Sequence, residues 1–515
     1  MNFRFVINQL GLLLLVLSGG LLSLALFYFI WTSVVGHDVN PHARLALFIS
    51  GVLGALVSGG AWFGTRKGSG QLGRREALLL VAAAWLIGAA FAALPYFLWA
   101  QLHFDDATAH PFRSFADCYF EAMSGLTTTG ATVLTDIEAI PPSLLLWRAF
   151  TQWLGGLGIV VMFVAVLPTV GLGGKRLFLV EAPGPTTEGL QPHIRQTARV
   201  LLGIYLALTA AQILALLVAG LTVFDSICHT FTTVATAGFS TQNASVGGYQ
   251  SQAVEIIVGV FMVLGAVNFG LYFALVRGKF KNPLRDPELR TYLGLLLVGS
   301  AMVTLLLVGH PITTTTGQTT DGSLGSAIRY GVFNVVAIGT TTGYATADTN
   351  TWPLPAKAVL VIMMFIGGSA GSTAGGLKVI RVWIAFKVML SEIEHVFRPN
   401  VVRTVRVGNT IIHDDLKLAT VSYLLGIVVL FAIGSLIVMV LEQSFGQGCD
   451  YPTAASASLA CLCTIGPGLA RVGAIENYGW MTPSTKIVLA VLMALGRLEV
   501  FAIIVLFTPR FWRAH

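Results

Sequence analysis

Thr127-Thr128-Thr129-Gly130-Ala131 is a short polar segment between two long apolar runs, and three similar segments follow it. These are Thr236-Ala237-Gly238-Phe239, Thr341-Thr342-Gly343-Tyr344 and Thr464-Ile465-Gly466-Pro467-Gly468. Each follows a stretch that we predict to be a short helix, at 117–126, 225–234, 327–338 and 453–463. A unit of helix, short helix, glycine turn and helix, repeated four times, predicts the plan of a tetrameric cation channel in one polypeptide.

The composition predicts an all-α polytopic membrane protein. Only 11% of the 515 residues are charged and 55% are hydrophobic, whereas a soluble protein usually carries about 25% charged residues. Several apolar runs are long enough to cross the hydrocarbon core of a bilayer, which needs about 20 residues. We predict ten spanning runs: 10–35, 43–63, 77–100, 144–170, 197–223, 252–276, 291–309, 355–390 (interrupted), 417–441 and 484–508.

The runs group into a helix pair and four repeats. The first two runs stand outside the repeat and form an N-terminal pair over 1–70. The predicted pore repeats are 71–176, 177–280, 281–392 and 393–515, and the third contains a glycine-rich intramembrane loop at 367–376.

Charge distribution predicts the orientation. With both termini in the cytoplasm, 23 of the 31 Lys and Arg residues lie on the inner side, as the positive-inside rule requires. The outer segments then carry seven: Arg44, Arg113, Arg148, Arg329, Lys357, Arg471 and Lys486. They also carry 14 of the 24 acidic residues. The predicted pore mouth is therefore net acidic, which favours cations.

The chemistry of the four loops suits potassium. Backbone carbonyl oxygens can replace the water that the ion sheds, without a fixed charge that would hold it too tightly. None of the four filter stretches contains Asp or Glu, and each short helix directs its partially negative C-terminus toward the pore. The predicted potassium-binding residues are Thr128, Thr129, Gly130, Thr236, Ala237, Gly238, Thr341, Thr342, Gly343, Thr464, Ile465 and Gly466.

The interruption of the eighth run predicts a gate. Five glycines in 367–376 cannot hold a regular helix, and unwound backbone at membrane depth survives only against protein or a water-filled cavity. A mid-membrane Arg497 should bond carbonyls of this loop or repel cations, because Glu499 lies at i+2 on another helix face. The predicted gating residues are Gly367, Gly368, Gly371, Gly375, Gly376, Lys378 and Arg497.

These motifs resemble the TrkH family, the potassium-translocating subunits of the bacterial Trk system within the Trk/Ktr/HKT superfamily. The matching stretches are 120–133, 151–159, 181–185, 341–348, 367–381, 466–469 and 496–499. The resemblance implies a multi-pass protein of the bacterial inner membrane, one pore per subunit and a homodimer. It also implies a cytosolic ring of TrkA-like regulatory subunits that bind nucleotides. This chain has no dinucleotide-binding glycine motif after a strand, so the nucleotide site would belong to that partner. Ala237 departs from the more glycine-rich family pattern in the second loop.

Other functions remain as alternatives. A proton- or sodium-coupled potassium symporter would need a titratable group in the pathway, and the spanning runs offer few besides Arg497 and Glu499. We do not expect an enzyme, because no His lies in the core of a spanning run. The basic linker 277–290 is a candidate for contact with lipid headgroups or for docking of a cytosolic partner. We expect no nucleic-acid partner and no cofactor in this chain, with K⁺ as the transported ion.

Overall fold

The computed structural model describes residues 1–35, 40–66, 73–105, 109–165, 194–278, 283, 285–400, 404–408 and 410–513. The regular secondary structure of the described part is helical apart from two antiparallel two-stranded hairpins. One pairs β1 (Ile312–Thr313) with β2 (Thr319–Thr320), and the other pairs β3 (Arg406–Val407) with β4 (Thr410–Ile411). The prediction of an all-α membrane protein is confirmed.

The helices follow the predicted order of one pair and four repeats. The pair is α1 (Phe3–Val35) and α2 (Pro41–Gly64). The first repeat has α3 (Arg74–His103), α4 (Phe115–Leu126) and α5 (Pro142–Ala165). The second has α6 (Ile194–Val218), α7 (Val223–Val234), α8 (Gln252–Ala266) and α9 (Phe269–Val276). The third has α10 (Pro287–Leu307), α11 (Leu324–Gly339), α12 (Leu354–Phe365) and α13 (Val379–Phe397). The fourth has α14 (Asp414–Phe445), α15 (Tyr451–Leu462) and α16 (Pro483–Arg497).

The four pore helices are shorter than the long apolar helices. Six described helices are long and apolar enough to cross a membrane, or seven if the bent pair α8–α9 counts as one span. The four pore helices α4, α7, α11 and α15 have only 12 to 16 residues, about 18–24 Å at 1.5 Å per residue. They therefore reach only part of the way across the hydrocarbon core.

Three of the pore helices begin at side-chain caps. Thr222, Ser323 and Asp450 accept hydrogen bonds from the backbone N–H groups of Asp225, Ser326 and Thr453. Such caps satisfy donors that the first helical turn leaves free. They define where each pore helix starts, and thereby where its C-terminus meets the following loop.

Two predicted continuous spans are broken, so those predictions were wrong. The run 252–276 bends by 91° between α8 and α9. The carbonyl oxygens of Gly265 and Ala266 accept hydrogen bonds from Thr373 and Ser369 of the glycine-rich loop, so they are drawn out of the helical ladder. Asn268 then caps α9 by accepting a hydrogen bond from Gly270 N–H.

The predicted run 484–508 also breaks, because α16 ends at Arg497. Glu499 and Val500 follow with φ of 57° and 58°, in the left-handed region that ends a helix. Val500 N–H donates to Leu495 O at 2.7 Å, which closes the last turn. A short helix at Phe501–Ile504 resumes after the break.

Some predictions fall outside the described residues. These are most of the inner loop 171–199, including the motif at 181–185, and the basic side chains Lys279 and Lys281.

Candidate functional site

The four predicted filter loops share one backbone conformation. In each, a threonine and the glycine two residues later have left-handed φ angles: 55° and 83° at Thr128 and Gly130, 51° and 82° at Thr236 and Gly238, 57° and 79° at Thr341 and Gly343, and 51° and 99° at Thr464 and Gly466. A β-branched residue with positive φ is rare and costs about 1–2 kcal/mol. Such a cost repeated four times points to a functional site.

The ends of the pore helices hold these threonines in place. The residue after each threonine donates its N–H to a carbonyl five residues earlier, as Thr129 does to Ser124 O at 2.9 Å. Ala237, Thr342 and Ile465 make the equivalent bond to Thr232, Ala337 and Ala460, each at 2.9 Å. This is the capping pattern that satisfies terminal helix carbonyls, and here it fixes where every loop leaves its helix.

The four loops close into a ring. A Cβ built on each glycine would lie against the carbonyl oxygen in the loop of the next repeat: 2.2 Å from Ala237 O for Gly130, 1.8 Å from Thr342 O for Gly238, 1.9 Å from Ile465 O for Gly343 and 2.7 Å from Thr129 O for Gly466. The order one, two, three, four and back to one is that of a pseudo-fourfold axis. The structure thus brings all twelve predicted filter residues together.

Four threonine hydroxyls lie at the inner end of this ring, two with hydrogen bonds to the glycine-rich loop and two without a partner among the described residues. The hydroxyls of Thr236 and Thr341 contact the glycine-rich loop, at Thr373 Oγ1 (3.2 Å) and Gly375 N (2.7 Å). Those of Thr128 and Thr464 are buried and have no hydrogen-bond partner in the part of the chain that the structure describes. A buried hydroxyl oxygen without a partner is available to coordinate a dehydrated cation.

A cavity of about 120 Å³ opens above the ring. The filter glycines line it, together with Arg148, Glu476 and residues of the segments that follow loops one, two and four. At its rim, Asn243 donates a hydrogen bond to Asp136 at 2.9 Å. This bond and those from the N–H groups of Ala139 and Glu138 hold the pKa of Asp136 below its usual range. Asp136 therefore keeps its negative charge at the mouth of the cavity.

The glycine-rich loop 367–376 lies beneath the ring and contacts three of its four loops. Besides Thr236 and Thr341, it approaches Thr464, since a Cβ built on Gly375 would lie 1.8 Å from Thr464 Oγ1. Thr373 Oγ1 is 3.0 Å from the carbonyl oxygens of both Val234 and Gly265. A hydrogen bond from Gly367 N–H to Leu377 O (2.9 Å) closes the neck of the loop.

Arg497 makes one of the contacts that the sequence predicts. Its guanidinium donates to Thr373 O in the glycine-rich loop at 2.8 Å and to Gly155 O in α5 at 3.2 Å. Glu499 pairs with Arg381 at 2.8 Å. Lys378 is also buried and donates to Ala374 O across the loop. The hydrogen bond between Arg497 and the loop is present, while the gating role of these residues stays a prediction.

Comparison with known proteins gives one consistent answer. The profile of the TrkH family of cation transport proteins matches residues 43–514. The chain is 36% identical to the Trk system potassium uptake protein TrkH of Salmonella typhimurium and 35% identical to that of Escherichia coli K12, with all of each chain covered. The crystal structure of the potassium transporter TrkH from Vibrio parahaemolyticus superposes with a TM-score of 0.85 at 33% identity, also over both whole chains.

The chain belongs to the TrkH family. Membership makes it a potassium transport protein of the membrane rather than an enzyme.

A buried polar cluster behind the candidate filter of this TrkH-family chain was not predicted from the sequence. Arg148 was predicted to be an outer-face charge, but it is 2% exposed and pairs with Glu121 of α4 at 2.6 Å. Lys486 was also placed among the outer charges, yet it is buried and pairs with Asp117. The signal for Arg148 was available, since a charge within the apolar run of α5 needs a buried partner.

The Glu121–Arg148 pair joins two filter loops. Glu121 accepts hydrogen bonds from Thr132 Oγ1 and Val133 N–H, both at 2.9 Å, just after the first filter glycine. Arg148 donates to Ser240 O at 3.0 Å, just after the second, and its guanidinium lies 3.4 Å from the centroid of the Phe239 ring. The pair thus braces the outward continuation of loops one and two.

Proposed function

We propose that this TrkH-family chain forms a gated potassium-conducting pore whose selectivity filter is the ring of four loops. The observation that carries the proposal is the closed ring of filter glycines, each against the carbonyl of the next loop. Four chain segments with the same alternation of left-handed residues can present their carbonyl oxygens to one axis, as replacement of a hydration shell requires. The names of the relatives, potassium uptake proteins, support potassium as the transported ion.

Gating is assigned to the glycine-rich loop. It touches the inner threonines of three filter loops, so an ion leaving the ring inward meets it first. Arg497 holds it to α5 and adds a positive charge beside the path. In the closed state these contacts keep the loop across the pore, and opening moves it aside.

The loop continues into α13, which offers a route for control from the cytoplasm. Gly368 O accepts a hydrogen bond from Val379 N–H at the start of α13 (3.3 Å), so a displacement of this helix reaches the loop directly. We assign this control to a cytosolic nucleotide-binding subunit like TrkA, with the chain as a homodimer in a bacterial inner membrane and both termini inside. The distribution of Lys and Arg supports this orientation.

Flux measurement in liposomes tests the proposal. Purified protein, reconstituted without any partner, is given a K⁺ gradient with and without a pH or Na⁺ gradient. A pore gives K⁺ flux that follows the K⁺ gradient and membrane potential alone. Flux that requires a proton or sodium gradient would establish the coupled symporter instead, and equal fluxes of K⁺ and Na⁺ would exclude the selective filter.

A further inference from the structure

The second filter loop is held by a side-chain clamp from α5. Gln152 donates from Nε2 to Ala237 O at 2.9 Å and accepts from Phe239 N–H at 3.1 Å. The two bonds engage the peptide groups on either side of Gly238. One buried amide therefore fixes the orientation of both peptides that flank the filter glycine.

Gln152 acts together with Arg148, one helical turn earlier on the same face of α5. Arg148 binds Ser240 O and covers the Phe239 ring, so loop two is held from Ala237 to Ser240. Both side chains are almost fully buried, at 0% and 2% exposure. Losing a hydrogen bond in such a site is costly, because water cannot reach the group that is left without a partner.

The clamp breaks the symmetry of the four repeats. Counted from the first residues of α5, α8, α12 and α16, the position of Gln152 corresponds to Met262, Met364 and Met493. The position of Arg148 corresponds in the same way to Val258, Leu360 and Leu489. All six are buried. Three repeats thus place a methionine and an aliphatic residue where the first repeat places an amide and a guanidinium.

Close helix contacts support this correspondence. Gly155, three residues after Gln152, lies against Leu126 O at the end of its pore helix. Gly265 and Gly496, three residues after Met262 and Met493, lie in the same way against Val234 O and Leu462 O. The matched positions of repeats one, two and four are therefore equivalent in space as well as in chain order, whereas Gly367 of the third repeat lies against Gly375 O of its own loop.

We propose that Gln152 is a positioning residue that sets ion selectivity by fixing the peptide orientation of loop two. This rests on the proposed filter function. Loop two carries Ala237 where loops one and three carry a threonine before the glycine and loop four carries Ile465, so it has no side-chain hydroxyl there to brace it. In loops one and three, the hydroxyls of Thr129 and Thr342 form hydrogen bonds with those of Thr127 and Thr340, at 2.7 and 2.8 Å. The amide of Gln152 takes over this role from the neighbouring helix.

The test is the symmetrising substitution Gln152→Met, which gives repeat one the residue of the other three at nearly constant volume. Two lost hydrogen bonds should lower the K⁺ over Na⁺ flux ratio by about tenfold, while total cation flux and the folded dimer persist. Gln152→Glu keeps the acceptor for Phe239 N–H but loses the donor to Ala237 O. This variant should also lower the K⁺ over Na⁺ flux ratio. Because its side chain has nearly the same volume, it distinguishes the loss of the hydrogen-bond donor from a change in packing.

The matched control is Gln212→Met in α6. Gln212 is equally buried, and its amide has no hydrogen-bond partner among the described residues, so its flux ratio should equal that of the parent. If the parent is selective and Gln152→Met has the same K⁺ over Na⁺ flux ratio, the proposed role of Gln152 is wrong and the proposed filter stands. A parent that does not discriminate K⁺ from Na⁺ overturns the proposed filter itself.

Discussion

Gly130 combines two constraints that a side chain would violate. Its φ is 83°, and a Cβ there would lie 2.2 Å from Ala237 O. We expect Gly130→Ser to lower the K⁺ over Na⁺ flux ratio by about tenfold or more, because a backbone strain of about 1–2 kcal/mol adds to a clash inside the ring. The measurement is ion competition in liposomes.

Gly309 provides the control for backbone strain alone. Its φ is 82°, but nothing lies within 4 Å of a Cβ built on it. Gly309→Ser should lower the thermal stability slightly and leave the flux ratio at the parent value. Equal ratios in the parent, Gly130→Ser and Gly309→Ser would contradict the importance of the ring contact.

Thr373 is the residue whose hydroxyl ties the glycine-rich loop to the second repeat. Thr373→Val keeps its shape and removes the contacts with Val234 O, Gly265 O and Thr236 Oγ1. The loss of at least one hydrogen bond, about 1 kcal/mol, should raise basal K⁺ flux without a regulator about fivefold or more. Thr420→Val is the matched control, since among the described residues that buried hydroxyl bonds only to Leu416 O in its own helix. A flux rise in both variants would point to general loosening rather than to the loop.

The sequence predicted these sites unevenly, for reasons visible in single residues. Thr-x-Gly after a short helix is a local pattern, so the four loops of the candidate filter could be located from the sequence directly. The partners of Arg148 and Gln152 could not be predicted, because Glu121 and Ala237 lie 27 and 85 residues away from them in the chain. Their polarity within an apolar run signalled a buried role but not which groups they bind.

At the scale of helices, one break could be predicted from the local sequence and another could not. Five glycines in 367–376 predicted the interruption between α12 and α13 from composition alone. The bend between α8 and α9 carries only Asn268 as a local signal. Its cause is tertiary, since the loop takes the carbonyls of Gly265 and Ala266. A helix prediction from one segment cannot include a competing partner from another.

The glycine-rich loop as an element should act as an obstruction. Deleting 369–375 removes its hydrogen bonds with Thr236, Thr341 and Arg497, so basal K⁺ flux should rise severalfold. Arg497→Ala should do the same by removing the anchor and the charge, while Arg497→Gln removes the charge and keeps a hydrogen-bond donor. Flux is normalised to folded dimer measured by size-exclusion chromatography. Folded deletion protein that conducts no faster than the parent would show that the loop is not a gate.

For the whole molecule, the clearest long-range feature is the charge difference between its two predicted faces. A basic linker at 277–290 joins the second and third repeats, and Arg285 within it is exposed. Basic groups on one face attract an acidic surface of a soluble partner, and salt screens that attraction over about 8–10 Å. The linker runs into the first turn of α10 (Pro287–Leu307), where Glu288 accepts a hydrogen bond from Ala370 N–H of the glycine-rich loop at 2.7 Å. A partner bound at Arg285 would therefore lie three residues along the chain from Glu288, which contacts the proposed gate.

Charge reversal of Arg277, Lys279, Lys281 and Arg285 tests this arrangement. We expect weaker co-purification with the cytosolic nucleotide-binding subunit, with the loss greatest at low salt, where the parent complex gains most from charge attraction. Arg44→Glu on the predicted outer face is the control and should leave co-purification unchanged. Nucleotide-dependent K⁺ flux should fall in parallel with binding, while basal flux stays at the parent level because the filter and loop contacts are intact. Full nucleotide-regulated uptake by the reversed variant would place the docking surface elsewhere, and loss of binding in Arg44→Glu as well would contradict the predicted orientation.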